Sequence, residues 1–146
     1  MHDDDAWKGA VILIRIDYTD STPIYEQIVN KYKNLIVRNV LTPEEKMPSV
    51  RTLAMELSIN PNTIQKAYAE LERQGFIYTV KGKGNFVAAN DNLKDIKQAE
   101  IIEKLDGLLK EAKDADVDIS VLIEHIQSKM WERENDKTKF AIKRKR

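Results

Sequence analysis

Asn60, Asn62, Thr63, Gln65 and Lys66 crowd amides, a hydroxyl and an ammonium into the start of "SINPNTIQKAYAEL", residues 58–71. The same stretch carries Ile64, Ala67, Tyr68 and Leu71 at i, i+3, i+4 and i+7, one apolar helical stripe. If that stripe faces a core, the open face holds Asn62, Thr63, Gln65, Lys66, Ala69 and Glu70. An Asn or Gln amide can pair with both N6 and N7 of adenine. A Thr methyl can meet a thymine methyl, and Lys66 can serve guanine or a phosphate. Taken one by one, such residues also suit capping and solvation of any helix start. Their concentration on one face favours the reading of base edges.

Two further groups have matching chemistry. Ser49 and Arg51 fall in the first turn of a short helical pattern, where unpaired N–H groups and the helix dipole favour an anion. Arg51 lies off the apolar stripe of that pattern, so its guanidinium is available for phosphate, or for a guanine if it leans toward the next helix. The bland alternative is a surface Arg paired with Glu44, Glu45 or Glu56. Lys81, Gly82 and Lys83 form the tip of "VKGKGNF". Glycine lets backbone approach a sugar-phosphate chain closely, and the lysines add charge, although a basic hairpin turn alone is common.

The elements that must position these groups follow from period and punctuation. Residues 10–18, "AVILIRIDY", read as a short strand. Thr22 as N-cap and Pro23 at the first helical position open a helix whose stripe is Ile24, Ile28, Tyr32, Leu35 and Ile36, running to about Val40. "LTPEEKMP" breaks it. Ser49 caps a second helix, with Val50, Leu53, Ala54 and Leu57 as its stripe. Asn60 and Pro61 start a third, which runs to about Gln74 with Gly75 beyond it. Two β-prone runs, "FIYTV" and "NFVA", flank Lys81-Gly82-Lys83-Gly84, a hairpin signal. A short helix, a three-residue link, a longer helix and a hairpin spell a winged helix-turn-helix over 23–90, with the helix-turn-helix at 49–74 and the wing at 77–87. Residues 1–22 form an N-terminal arm.

From residue 93 the pattern changes. Ile101, Leu105, Leu108 and Ala112 follow 4-3-4 spacing, widened by Ile102 and Leu109. "DADVD" interrupts. Asp118 then caps a helix with the stripe Ile119, Leu122, Ile123, Ile126 and Met130. One small three-helix domain cannot cover both stripes, so a second copy of the chain is expected to complete them. Residues 91–136 are therefore a two-helix dimerisation segment, and Ile101, Leu105, Leu108, Leu109, Ile119, Leu122, Ile123 and Ile126 are its contact residues. The fold class is mainly α with a small β wing. Residues 137–146 are a basic tail without clear period, expected to be mobile.

The formal charge of zero over 146 residues conceals segregation. Residues 23–90 carry 9 positive and 6 negative charges, net +3; residues 91–136 carry 7 and 13, net −6; the last ten carry 6 and 0, net +6. A basic middle and tail permit a polyanion partner. The absence of Cys excludes a disulfide scaffold, a thiolate zinc site and a cysteine nucleophile. The acidic start, "MHDDDAW", is unlike a signal peptide, and "AVILI" is too short to span a bilayer. A cytoplasmic protein is expected. His2 with Asp3, Asp4 and Asp5 resembles a metal cluster only on paper, and His125 has no His or Cys neighbour, so no metal and no cofactor are expected. No nucleophile elbow, P-loop or paired acid and base supports an enzyme.

The run "MPSVRTLAMELSINPNTIQKAYAELERQGFIYTVKGKGNFV", residues 47–87, resembles the GntR family of bacterial transcription regulators. The resemblance is carried by Pro48, Ser49, Arg51, Leu53, Ala54, Thr63, Leu71, Glu72, Gly75, Gly82, Gly84, Phe86 and Val87 in order. "IDYTDSTPIYEQI" and "NPNTIQKAY" look like its short YtrA-like subfamily. The resemblance implies a dimeric winged-helix repressor that contacts operator DNA through Arg51, Asn60 to Gln65, and the wing at Lys81 and Gly82. It also implies a link to ABC-transporter genes. Other branches place an Arg in the recognition helix where this chain has Pro61 and Gln65, so that guanine contact does not carry over. The expected partners are a double-stranded, pseudo-palindromic operator and a second copy of the chain; no residue set marks an effector pocket. The rival readings are a protein-interaction module, which wants an apolar patch on the third helix, and an RNA binder, which wants aromatics available for stacking. Tyr32 and Tyr68 lie on core stripes instead.

Overall fold

The computed structural model describes residues 14–144, with side chains through 136. Its elements are α1 (Ile24–Val37), α2 (Val50–Leu57), α3 (Pro61–Arg73), β1 (Ile77–Val80), β2 (Gly84–Val87), α4 (Leu93–Asp114) and α5 (Ile119–Arg144). α1 and α2 both pack on α3, and β1 packs on its far end. The core joins Ile28, Tyr32 and Ile36 of α1, Leu53 and Ala54 of α2, and Ile64, Ala67, Tyr68 and Leu71 of α3 to Phe76, Ile77 and Val87 of the wing. Every stripe residue of α3 read from the sequence is buried.

Helix boundaries show what local chemistry decides. The Ser49 hydroxyl accepts the Thr52 N–H at 3.1 Å, and Asn60 Oδ1 accepts the Asn62 N–H at 2.8 Å, with Pro61 at the first helical position. Ser58, at φ 53°, makes the tight link between α2 and α3. Gly75 follows α3 at φ 84°. α1 differs from expectation at both ends. Pro23 has ψ 144° and is the N-cap, so the helix begins at Ile24, and no side chain caps it. The Thr22 N–H donates to Asp20 Oδ1 at 2.8 Å. The helix stops at Val37, not near Val40, because Asn39 turns left-handed at φ 57°. The N–H groups of Val40 and Leu41 then fold back onto Leu35 O.

β1 and β2 pair antiparallel with Ile77 opposite Val87 and Val80 opposite Gly84. The connection is Lys81-Gly82-Lys83, one residue shorter than the sequence reading, since Gly84 already belongs to β2. The Lys83 N–H donates to Val80 O at 2.9 Å, and Gly82 at φ 79° supplies the positive angle that a type II turn needs at its third position. "LTPEEKMP", read as a simple break, contributes a third edge. The N–H groups of Glu44 and Met47 donate to Val87 O and Asn85 O at 2.8 Å each, and the Val87 N–H donates to Glu45 O at 2.9 Å.

The strand expected over 10–18 is not formed in its described part. Residues 14–17 carry no ladder, and residues 10–13 lie outside the described residues. Buried Gln27 holds this arm by its own backbone instead. Its Oε1 accepts the Asp17 N–H at 2.9 Å, and its Nε2 donates to Asp17 O and Thr22 O at 2.9 and 3.0 Å. Ile14 reaches the core.

Two compact units divide at Lys97 and Gln98. In the second, Asp116 at φ 56° ends α4, the Val117 N–H donates to Ala112 O, and Asp118 Oδ1 accepts the Ser120 N–H at 2.9 Å to start α5. That hydrogen bond from Ser120 holds the Asp118 carboxyl below its ordinary range. α5 continues to Arg144, so the backbone of 137–144 is helical where no regular element was expected.

Candidate nucleic-acid interface

The candidate interface is built on one buried tether. The Tyr68 hydroxyl donates to Pro48 O at 2.7 Å, across 20 residues of chain. It joins the middle of α3 to the residue before the α2 cap, and Arg51 is exposed in the first turn of α2. The Tyr32 ring meets Tyr68 edge to face with centroids 6.1 Å apart, and burial pushes both phenols well above their ordinary range. Both tyrosines are core residues, as the stripes indicated. Replacing Tyr68 by Phe leaves a buried carbonyl without its donor. We expect a loss of about 1–3 kcal/mol in stability, read in urea as a lower midpoint at unchanged slope. A midpoint equal to wild type would show that the tether contributes nothing.

On this frame the sequence-derived residues separate by job. Ser49 and Asn60 spend their side-chain oxygens on caps, and the Ser49 hydroxyl also donates to Thr52 Oγ1 at 2.7 Å. Their part is to hold helix starts. Arg51, Asn62, Gln65 and Lys66 are exposed, and Thr63 is half-buried beside them. Lys81, Gly82 and Lys83 are exposed at the wing tip. Glu70, assigned to the open face, is occupied. It accepts from Arg73 Nε at 2.9 Å, from Arg73 Nη2, and from Gln74 Nε2 at 2.6 Å. The Arg73 guanidinium, then Gln74, hold its carboxyl down at about 2. Its negative charge is thereby drawn toward the C-terminal end of α3, away from the polar first turn.

Two features escaped the sequence reading. Tyr25 of α1 lies beneath Lys66, whose Nζ sits 3.9 Å from the ring centroid. Lys33, on the apolar side of α1, is buried with its Nζ 5.2 Å from the Phe76 ring centroid. Neither pair has a periodic signal, because both join residues about 40 positions apart. At the wing root, Tyr78 stacks on Phe86 with centroids 5.7 Å apart and donates its hydroxyl to Glu44. These aromatics brace the hairpin.

Among the described residues no cluster of His, Asp and Glu could hold a metal ion, and no helix is long and apolar enough to cross a membrane. The His2 and Asp3–Asp5 group lies outside the described residues.

Residues 24–87, from α1 to the end of the wing, match the family described as bacterial regulatory proteins, gntR family. The chain is 43% identical over 117 residues to the HTH-type transcriptional repressor YtrA of Bacillus subtilis, which covers 79% of this chain and 90% of that protein. The chain belongs to the GntR family. A crystal structure of a transcriptional antiterminator from Listeria monocytogenes EGD-e shares 44% identity over 73% of this chain and 81% of its own, with a TM-score of 0.62. A GntR family transcriptional regulator from Listeria monocytogenes shares 34% over 77% and 98%, with a TM-score of 0.65. GntR proteins are DNA-binding regulators of transcription, not enzymes, and among them this chain is YtrA-like. The winged helix-turn-helix described above is the family's DNA-binding fold.

Proposed function

We propose that this GntR protein is a cytoplasmic transcriptional repressor that binds a pseudo-palindromic operator as a homodimer. The carrying observation is the face of α3: a capped, proline-led start with Asn62, Gln65 and Lys66 exposed, on a helix tied through Tyr68 to Pro48 at the entry of α2, whose first turn exposes Arg51. α3 is the recognition helix in the major groove. Asn62, Thr63 and Gln65 read base edges, and Arg51, Lys81, Lys83 and the Gly82 backbone engage the strands. Residues 23–90 bind DNA, 91–136 dimerise, and the basic tail at 137–146 adds nonspecific affinity.

Support for the dimer comes from α4 and α5. Ile101, Ile102, Leu105 and Leu108, then Ile119, Ile123, Ile126 and Met130, are exposed in the single chain, while Leu109 and Leu122 are half-buried. So much exposed apolar surface supports an interface there. Regulation of ABC-transporter genes follows from the resemblance to the short subfamily alone.

The test is selection of random duplex DNA on the purified protein, then a salt titration of the winning sequence. A two-fold-related consensus is expected, with half-sites about one helical turn apart and affinity falling steeply with salt. Enrichment of no sequence would overturn the operator reading.

A further inference from the structure

The ammonium of Lys66 has an unusual seat. Lys66 stands four residues before Glu70 on α3, where the two could pair, yet the Glu70 carboxylate is taken by Arg73 and Gln74. Lys N-terminal to Glu is also the weaker order for such a helical pair. Nζ lies instead 3.9 Å from the centroid of the Tyr25 ring, on α1. Tyr25 is the second residue of that helix, half-buried, and its own hydroxyl donates to Glu26 at 3.3 Å. A ring face attracts a cation without using up its N–H groups. The ammonium is thus fixed in place while it keeps donors for a further acceptor.

Position on α3 says which acceptor that is. At about 100° per residue, Lys66 is turned from Gln65 toward the flank of the exposed face that α1 covers. A side chain leaning on α1 points away from the base-reading residues and toward the rim of a groove occupied by α3. Phosphates line such a rim.

We propose that Lys66 is a clamp for a DNA backbone phosphate and that Tyr25, outside the helix-turn-helix, is the residue that positions it. Lys66 then contributes affinity without sequence preference. The inference deepens the operator-binding reading and rests on it.

The first measurement needs no DNA. In the NMR spectrum of the full chain, the Lys66 ε-protons should be shifted upfield by the Tyr25 ring current. That shift should persist in Tyr25→Phe and vanish in Tyr25→Leu, which keeps apolar bulk without a ring. Unshifted protons in the wild type would overturn the geometry whatever the protein binds. The second measurement uses the selected operator duplex. Lys66→Met should flatten the log–log salt dependence by about two phosphates per dimer, one per protomer. Tyr25→Leu should weaken binding roughly threefold to tenfold, in keeping with a cation–π contact, whereas Tyr25→Phe should match wild type. Adding Tyr25→Leu to Lys66→Met should cost nothing more, and the base preference of every variant should be unchanged. Additive losses, or a changed base preference in Lys66→Met, would sink the proposal. A wild type that selects no duplex while the ring-current shift is present would instead count against the operator reading.

Discussion

Replacing Leu105 and Leu108 together by Asp is expected to convert the proposed homodimer to a monomer and to lower operator affinity about 100-fold to 10,000-fold, the range in which linking two binding modules acts. The two leucines are 42% and 61% exposed in the single chain, and with Ile101 and Ala112 they form the 4-3-4 seam of α4. Fully burying an exposed leucine stabilises by about 1.5–3 kcal/mol, so covering the part these two still expose is worth about half of that each, and two-fold symmetry counts each position twice. In the proposed dimer the double substitution removes four such leucines and places four carboxylates in their stead. The folded winged unit should hardly notice. Substitutions at exposed sites usually change stability by less than about 0.5 kcal/mol, and the core of that unit ends at Leu93. Light scattering should therefore report half the wild-type mass, while the urea midpoint of the winged unit stays put. A retained dimer mass would remove α4 from the interface.

What the sequence disclosed and what it hid separate by range. Local signals were legible. Ser49 and Asn60 cap because a short polar side chain meets an orphan amide two or three residues on, and Gly75 and Gly82 take angles that other residues resist. The buried stripe of α3 follows from period alone, and it left the polar face with Asn62 and Gln65 as the remainder. Long-range partnerships were not legible. Tyr68 to Pro48, Lys66 to Tyr25, Gln27 to Asp17 and the pairing of 44–47 with β2 each depend on how elements stack. The errors had local causes too. Thr22 is a good cap by type, but Pro23 stays extended and takes the N-cap position itself, one residue too late for the Thr22 hydroxyl to serve. "AVILIRIDY" has the composition of a strand, yet residues 14–17 have no ladder partner, and Gln27 supplies the hydrogen bonds there. On the candidate site, type and spacing proposed the face of α3, Arg51 and the wing tip, all of which are exposed apart from half-buried Thr63 and Glu70. They could not show that Ser49 and Asn60 are consumed by capping, or that Lys66 is held sideways.

Arg51 carries the sharper prediction, because its place in the free protein works against it. It occupies the second position of α2, next to the positive end of the helix dipole, where a cation is unfavourable by about 0.3–1 kcal/mol. The Ser49 hydroxyl already takes the Thr52 N–H. The remaining N–H groups of that first turn, with the guanidinium, concentrate positive charge at one point of the surface. Such an arrangement costs stability in the absence of an anion and is offset when a phosphate arrives. Arg51→Ala should therefore leave the unbound protein as stable as wild type, or more stable by up to about 1 kcal/mol. Operator binding should weaken by about 1–3 kcal/mol per half-site. The two effects have opposite signs, and a residue whose role is only structural would not produce that. Urea denaturation reads the first, and a titration of the selected operator reads the second. Repeating the selection with the variant then separates the two targets open to the guanidinium. Relaxed preference at one position of each half-site means a base, while an unchanged consensus with a flatter salt dependence means a phosphate. Unchanged affinity would take Arg51 out of the interface.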